Sequence, residues 1–322
     1  MNVLHVQFTT REGVARAVNG VNFTVESGKT LAVLGESGSG KSVTAQAIMG
    51  IVDDPPGKVT GGEVLLHGVD ILKLSDEERR LIRGERIAMI FQDALSSLNP
   101  TFTVGWQISE LFRVRRGQGK KEAQANALEL MERVSIPAAK ERFHNYPHEF
   151  SGGMRQRVMI AMALALEPEV LIADEPTTAL DVTVQAQILE LLQDLQNERN
   201  MGLILITHDL GVVAEVADRI AVMYAGRIVE HASVRDLFAR PAHPCSLGLI
   251  DSIPRLDDTN HELRAIGGLP PSLTRLPTGC SFHPRCRFAA DVCLESTPDE
   301  VSVSADQMSR CFFAEEVFNG RR

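Results

Sequence analysis

The sequence predicts an α/β domain with a largely parallel sheet, followed by an irregular C-terminal segment. Up to about residue 235, short apolar runs alternate with amphipathic helical stretches, which is the pattern of strands joined by crossover helices. Each apolar run ends in a polar or glycine-rich loop, and ligands bind beyond the carboxyl ends of such strands. The expected buried strands are Thr30–Leu34, Ile87–Phe91, Val170–Ala173, Leu203–Thr207 and Ile220–Met223.

The remaining elements follow from the period of the apolar residues. Alternating apolar and polar residues predict a small antiparallel sheet, with strands at Val3–Phe8, Val21–Val25 and Glu63–His67. Helical periodicity in Val104–Arg113 and Lys121–Val134 predicts a helical insertion over about 94–157. Leu180–Arg199 is a further amphipathic helix.

Composition limits the class of protein. The chain has 322 residues, 44% of them hydrophobic and 23% charged, as expected for a globular protein with one large domain and an appendage. The net charge of −9 argues against nucleic-acid binding, which favours a basic domain. The sequence shows neither a bilayer-spanning apolar run nor a secretion signal. We therefore expect a cytoplasmic protein that reaches a membrane only through partners.

A glycine-rich loop between the first buried strand and a helix carries the strongest chemical signal. It contains Gly35, Glu36, Ser37, Gly38, Ser39, Gly40, Lys41 and Ser42. In this strand–loop–helix setting, the backbone amides and the helix N-terminus bind nucleotide phosphates. Lys41 is expected to reach the β- and γ-phosphates of ATP, and the Ser42 hydroxyl to ligate Mg²⁺.

Two adjacent carboxylates end the buried strand Val170–Ala173. Asp174 is expected to hold Mg²⁺, and Glu175 to act as the general base that polarises the attacking water. A solvated strand end could carry the same pair, but the apolar run before it and Pro176-Thr177 after it favour the catalytic interpretation.

A Ser-Gly-Gly loop at Ser151, Gly152 and Gly153 opens a basic helix just ahead of those carboxylates. Together with the phosphate loop, it resembles the signature of the ATP-binding cassette (ABC) ATPases. The resemblance implies a P-loop (RecA-like) core with an antiparallel β subdomain and a helical signature subdomain. It also implies that this helix start binds the γ-phosphate of ATP held by a second cassette, which agrees with the anion affinity of helix N-termini.

The resemblance assigns further roles to three residues. Gln92 matches the loop that senses Mg²⁺ and contacts the transport partner. His208 matches the switch histidine that positions the γ-phosphate and the water. Asp181 ends the stretch Thr178-Ala179-Leu180-Asp181, which matches the loop that crosses the dimer interface, and it can also serve as a helix N-terminal acid. The adenine-stacking residue is unassigned, with Phe8 as a candidate.

The C-terminal segment narrows the resemblance. Residues 267–271 and 276–286 resemble the extension of ATPases that serve oligopeptide and dipeptide importers, which nickel and some sugar importers share. This implies a nucleotide-binding domain at 1–235 and an extension at 236–322. It further implies a second, homologous ATPase subunit, two membrane permeases and an extracytoplasmic solute-binding protein as partners, at the cytoplasmic face of the membrane.

Four cysteines crowd the extension, at Cys280, Cys286, Cys293 and Cys311. Their separations of five, six and seventeen residues do not match zinc-finger pairs. The uneven spacing on irregular backbone suits a 4Fe-4S cluster held by four thiolates, which some members of the resembling family carry. Zinc with His283, and free thiols or disulfides, are alternatives. Cys245 is expected to be a buried apolar residue.

The function predicted is an ATP-hydrolysing subunit that powers an importer, with peptides as the expected substrate and nickel or another small solute as alternatives. A second class is a soluble ABC ATPase acting on nucleic acid or ribosomes, which usually has a long coiled-coil insertion or tandem cassettes. A third is a regulatory module without turnover. The presence of Glu175 and His208 argues against that third class.

Overall fold

A computed structural model describes residues 1–178, 180–252 and 266–321. The chain divides into two compact units. The first unit comprises Met1–Thr24, Thr30–Leu74 and Ile206–Arg322, as far as these are described. The second comprises Val25–Lys29 and Ser75–Leu205. Among the residues described, no helix combines the length and apolar character needed to cross a membrane.

The elements follow in chain order. Up to residue 74 they are β1 (Asn2–Thr10), β2 (Gly13–Val21), β3 (Thr30–Leu34), α1 (Lys41–Met49), β4 (Gly57–Glu63), β5 (Leu65–Leu66), β6 (Val69–Asp70) and a 3₁₀ turn at Ile71–Lys73. Next come α2 (Asp76–Ile82), β7 (Ile87–Ile90), α3 (Ala94–Ser97), α4 (Val104–Arg116), α5 (Lys120–Arg133), α6 (Ala139–Arg142), a 3₁₀ turn at Pro147–Glu149, α7 (Gly152–Leu164), β8 (Val170–Asp174), α8 (Val182–Arg199) and β9 (Gly202–Thr207). The last are α9 (Leu210–Val216), β10 (Arg219–Tyr224), β11 (Arg227–Ser233), α10 (Val234–Ala239), α11 (Pro244–Asp251), a 3₁₀ turn at His283–Arg285, α12 (Asp291–Glu295), β12 (Val301–Ser302), β13 (Met308–Ser309) and α13 (Ala314–Phe318).

The first unit contains the expected antiparallel sheet, in which β1 pairs with β2 and β4. Two of its predicted strands were misplaced. Val21 is the last residue of β2 and not the start of a strand; the Asn22 side chain accepts a hydrogen bond from the Val3 amide at that point. The segment predicted at 63–67 is interrupted because the left-handed backbone of His67 forms a turn between β5 and β6.

A mixed sheet forms the core of the first unit. β10 pairs in parallel with β3 and antiparallel with β11, and β13 joins β11 and β12 in antiparallel pairs. The buried residues include Leu34, Val222, Tyr224 and Phe282. Phe282, from the C-terminal segment, is 3% exposed and lies edge-on to Tyr224 with ring centroids 5.1 Å apart. The segment therefore buries its apolar side chains on this sheet.

A buried carboxylate joins the C-terminal segment to the same sheet. Glu230 of β11 is 1% exposed. It accepts hydrogen bonds from the amides of Ala242 and His243 at 2.7 and 2.9 Å, and from Nε2 of Gln307 at 2.7 Å. Since these donors compensate for the loss of water, Glu230 fixes the entry to α11 and the turn before β13.

The second unit pairs β7 and β8 in parallel, with Ile90 opposite Ala173. Between these strands, where every residue from 91 to 169 has a described backbone, all the regular elements are helical. The predicted helices are confirmed as α4 and α5, each extended or shifted by one to three residues. This register places the loops after β7 and β8 side by side.

Candidate nucleotide-binding site

The phosphate loop follows β3, whose five residues are all buried, and leads into α1. The Lys41 side chain is 5% exposed and folds back over the loop. Its Nζ donates hydrogen bonds to the carbonyl oxygens of Gly35 and Glu36, at 2.7 and 3.1 Å. The backbone of the loop thus surrounds an ammonium group at the start of a helix, which favours a bound anion.

The shape of the loop depends on Gly40. This residue has φ of 106°, and a Cβ atom on it would lie 2.1 Å from the carbonyl oxygen of Ala17, so a larger residue would displace the loop. The neighbouring Ser39 hydroxyl is buried and has no hydrogen-bond partner among the described residues. A buried polar group without a partner calls for an explanation, and an oxygen-rich ligand such as a nucleotide phosphate would satisfy it. The loop therefore fits ATP.

The carboxyl ends of β7 and β8 bring two of the predicted residues into contact. Gln92 Nε2 donates to Glu175 Oε2 at 3.0 Å, and the Thr178 hydroxyl donates to the same oxygen at 2.9 Å. Asp174, the last residue of β8, is 4% exposed. Glu175 has a left-handed φ of 47°, which costs a non-glycine residue about 1 to 3 kcal/mol and marks a site worth examining for function.

The Ser-Gly-Gly loop opens α7, as predicted. Ser151 is the N-cap of this helix, and its hydroxyl accepts a hydrogen bond from the Met154 amide at 3.4 Å. Ser151 and Gly152 are exposed. A Cβ atom on Gly153 would lie 2.7 Å from a methyl carbon of Val184, so the close packing of α7 on α8 requires a glycine there. The first residues of this helix are therefore at the surface of the protein.

The arginines of α7 form hydrogen bonds with neighbouring parts of the chain. Arg155 Nε donates to the Pro147 carbonyl at 2.8 Å. Arg157, which is 9% exposed, donates to the Val134 carbonyl and to the Gln187 side chain at 2.8 and 2.9 Å. Burial lowers the pKa of Arg157. These arginines position the helix within the second unit.

Two other predicted residues lie at element boundaries, and the candidate for adenine stacking lies within a strand. Asp181 is the N-cap of α8, and its Oδ1 accepts from the Val184 amide at 2.9 Å; Ala179, in the same predicted loop, is outside the described residues. His208 is exposed in the first unit and follows β9 directly. Phe8 is half-buried in β1, opposite Gly57.

Sequence patterns did not reveal two contacts at these loops, that of Thr178 with Glu175 and that of Arg285 with Glu36. Thr178 meets Glu175 because the chain turns after β8, with the Thr178 amide donating to the Glu175 carbonyl at 3.2 Å. Arg285, from the C-terminal segment, binds the carboxylate of Glu36 in the phosphate loop. The His-Pro-Arg-Cys sequence around Arg285 carries a family resemblance, but no local pattern connects it with residue 36.

The cysteines of the C-terminal segment are near one another and partly buried. Burial raises the thiol pKa of Cys280, Cys286 and Cys311, that of Cys311 to about 12, and the neighbouring cysteines raise each further. The amides of Phe288 and Phe313 donate to the sulfurs of Cys286 and Cys311, both at 3.4 Å.

None of these four cysteines, all of which are described, is disulfide-bonded. Within the described ranges no group of three or more His, Cys, Asp or Glu side chains is arranged to hold a metal ion. The structure therefore does not support the expected 4Fe-4S centre as it stands. Cys245, 1% exposed in the core of the first unit, is the buried apolar residue that was predicted.

The phosphate loop, the carboxylates at the end of β8 and the Ser-Gly-Gly helix start together define an ATPase of the cassette class. The sequence profile described as "ABC transporter" matches residues 18–178, and that described as "Oligopeptide/dipeptide transporter, C-terminal region" matches residues 229–293.

Named relatives match almost the whole chain. It is 49% identical, over 98% of its length and 97% of the relative, to the oligopeptide transport ATP-binding protein OppD of Haemophilus influenzae. It is 50% identical, over 97% of its length and 93% of the relative, to the dipeptide transport ATP-binding protein DppD of Bacillus subtilis. Among solved structures, a dimeric ATP-binding cassette in a post-hydrolysis state with ADP and phosphate has a TM-score of 0.66 and 29% identity, covering 73% of this chain and 97% of that one.

The chain therefore belongs to the ABC transporter family of ATP-binding proteins, and it carries the C-terminal region of the oligopeptide/dipeptide transporter type. Members of this family hydrolyse ATP, and the chain is an ATPase. The α/β core with a mixed sheet, an antiparallel sheet and a helical region is the fold that the sequence predicted.

Proposed function

We propose that this chain is the ATP-hydrolysing subunit of an importer for dipeptides or oligopeptides. The observation that carries the proposal is the presence, in one chain, of an intact phosphate loop, the Gln92–Glu175–Thr178 contact and the C-terminal region of the oligopeptide/dipeptide type. The names of OppD and DppD support peptides as the substrate class. Nickel or another small solute is the alternative cargo.

In this proposal the phosphate loop binds ATP. Residues 35–42 supply backbone amides, and Lys41, now on the loop carbonyls, neutralises the β- and γ-phosphates. Ser42, Gln92 and Asp174 would hold Mg²⁺, which supplies positive charge to the phosphate oxygens. Hydroxyl and carboxylate oxygens of this kind are the ligands that Mg²⁺ prefers.

Glu175 is the proposed general base for the attacking water. The hydrogen bonds from Gln92 and Thr178 hold its Oε2 oxygen, which fixes the carboxylate so that it can accept a proton in one geometry. His208, at the exposed end of β9, would position the γ-phosphate and the water.

A second cassette would complete each nucleotide site. The exposed start of α7 at Ser151–Gly153 and the exposed Asp181 are the surfaces proposed to face the partner's nucleotide. The dimeric form of a similar cassette supports this arrangement. We propose a homologous but different ATPase subunit as the partner, so that binding of two nucleotides closes the heterodimer and hydrolysis opens it.

Motion of the cassettes would pass to two membrane permeases through the loop at Gln92 and the helices α3 to α6. The chain would then lie at the cytoplasmic face of the membrane, with an extracytoplasmic binding protein delivering the solute. A soluble ATPase acting on nucleic acid is the rival class. The net charge of −9 and the C-terminal match do not favour it.

We further propose that Cys280, Cys286, Cys293 and Cys311 hold a thiolate-ligated metal centre, with 4Fe-4S first and zinc second. The amide hydrogen bonds to two of the sulfurs support this, because hydrogen bonds to the ligand sulfurs are a feature of iron–sulfur sites. The role would be structural. Protein purified without oxygen should contain iron, sulfide and absorbance near ~400 nm; zinc alone would favour the alternative, and neither metal would remove the proposal.

The test of the transport function is reconstitution. The chain is co-purified with its permeases and its partner ATPase and placed in liposomes with ATP inside or outside. Peptide uptake that needs ATP and disappears with Lys41→Ala is the expected result. Uptake of Ni²⁺ without peptide uptake would assign the alternative cargo, and ATPase stimulation by nucleic acid but not by solute would overturn the importer proposal.

A further inference from the structure

A buried arginine of the C-terminal segment contacts the phosphate loop. The Arg285 side chain is 5% exposed, and its guanidinium forms a two-pronged ion pair with the Glu36 carboxylate. The Nη2–Oε1 distance is 2.9 Å. Arginine presents parallel N–H groups that match a carboxylate in this way, which makes the pair both strong and specific in geometry.

The surroundings of Arg285 fix its position. Its Nε donates to the Gly267 carbonyl at 2.9 Å, and Nη2 to the Ile266 carbonyl at 3.4 Å. Its Nη1 lies 3.3 Å from the Tyr224 hydroxyl, and its Cζ lies 5.8 Å from the centre of that ring. The hydrogen bond to Glu36 is the main reason why the pKa of Arg285 is raised. The guanidinium is therefore held on several sides.

Glu36 is an unfavourable residue for an anion site unless its charge is balanced. Glu36 and Lys41 are the ionisable residues of the loop 35–42, so their formal charges cancel. The Glu36 carbonyl also accepts a hydrogen bond from Lys41 at 3.1 Å, so its backbone forms part of the wall around the ammonium group. With Arg285 bound, the loop and its partner carry one net positive charge.

We propose that Arg285 is a positioning residue for nucleotide binding: it neutralises Glu36 and orients the first half of the phosphate loop, so that the C-terminal segment completes the nucleotide site. This inference rests on the proposed role of residues 35–42 in binding ATP. It gives the segment a part in the ATPase site in addition to any metal it holds.

The test is equilibrium binding of MgAMP-PNP to the full chain by calorimetry. Arg285→Met leaves Glu36 uncompensated, and we expect its Kd to rise about tenfold, which equals about 1.4 kcal/mol. Arg287→Met is the matched control, because Arg287 pairs with Asp251 at 3.2 Å and lies over Phe288, not over the loop. Its Kd should stay within about twofold of the wild type.

A double variant separates neutralisation from simple anchoring. Glu36→Gln removes the negative charge that Arg285 balances, so the loss of affinity caused by Arg285→Met should be several-fold smaller when both proteins being compared carry Glu36→Gln. Glu36→Gln combined with Arg285→Met should recover most of the lost affinity. In steady-state assays Arg285→Met should raise the KM for ATP with little change in kcat, and Arg285→Lys should restore part of the loss.

Each outcome decides a different point. An unchanged Kd in Arg285→Met, or a double variant as weak as Arg285→Met alone, would overturn the inference. Should Arg285→Met not fold, Arg285→Gln takes its place, alone and combined with Glu36→Gln, and the same two results would overturn the inference. Lys41→Ala is the separate control: if it binds like the wild type, the proposed role of the loop fails instead.

Discussion

His243 is a buried neutral histidine that should make stability depend on pH. It is 1% exposed, and burial lowers its pKa from 6.5 to about 3. Its Nδ1 accepts a hydrogen bond from the Cys245 amide at 3.0 Å, while the ring donates to the Arg310 carbonyl. A proton on Nδ1 would face the N–H of Cys245, so the folded protein disfavours the charged ring.

The direction and the size of this pH effect follow from the linkage between proton binding and folding. Because the folded pKa is depressed, the stabilising contribution is present above pH 6.5 and is lost as the pH falls towards the folded pKa of about 3. At pH 5 the free energy of unfolding is lower by about 2 kcal/mol. This pH lies about 1.5 units below the pKa of the ring in the unfolded chain, and each unit is worth about 1.4 kcal/mol. His231, with a pKa lowered to about 4 mainly by burial, acts in the same direction.

His243→Asn isolates this effect, because asparagine keeps an acceptor for the Cys245 amide at a helix N-cap but does not titrate. Urea unfolding followed by circular dichroism at pH 7 and pH 5 measures the free energy of both proteins. The wild type should lose about 2 kcal/mol more than the variant over this interval. Burial raises the pKa of Glu230, so its contribution grows as the pH falls, but equally in both proteins. Parallel pH dependences for the two proteins would refute the argument.

Substitutions at three residues test other parts of the structure. Thr178→Val removes one hydrogen bond to the Glu175 carboxylate and should lower kcat about tenfold. Thr178→Ser keeps the hydroxyl and should have a normal kcat. An equally low kcat in both variants would show that the hydrogen bond is not the reason for the loss. Glu230→Ala leaves buried amides without an acceptor and should reduce the free energy of unfolding by about 3 kcal/mol. A change below about 1 kcal/mol in urea unfolding would contradict this role of Glu230. Asp181→Ala removes the N-cap of α8 and should lower the free energy of unfolding by about 1 kcal/mol. Asp181→Asn keeps the cap and the stability, but it should reduce ATPase activity if the charge acts across a dimer interface. Equal ATPase activity in the wild type and Asp181→Asn would exclude that role.

Local sequence patterns predicted those parts of the fold that depend on interactions between residues close together in the chain. The strand 30–34 and the start of α1 were predicted from an apolar run followed by a glycine-rich loop. A largely parallel sheet was predicted from the buried runs, and the pairing of β7 with β8 that the structure shows explains why residues 92 and 175 meet. By contrast, β2 was missed because Gly13, Gly20 and alternating small residues give it little apolar period.

Contacts between distant parts of the chain were not predictable in this way. The ion pair of Arg285 with Glu36 joins residues 249 positions apart, and the bonds of Gln307 to Glu230 join residues 77 apart. Their formation depends on how the C-terminal segment packs on β10 and β11, which no spacing of residues encodes. The positive φ of Glu175 likewise arises from the turn that follows β8.

ATP hydrolysis through Glu175 is the central claim, and one variant measures it directly. Glu175→Gln keeps the size of the side chain and its contacts with Gln92 and Thr178 but removes the base. With the partner cassette present, it should bind MgATP, form a stable dimer on a sizing column, and release phosphate in a single turnover at least a hundredfold more slowly than the wild type. Phosphate release at a near-normal rate from this variant would contradict the account, because another group would then be taking the proton from water.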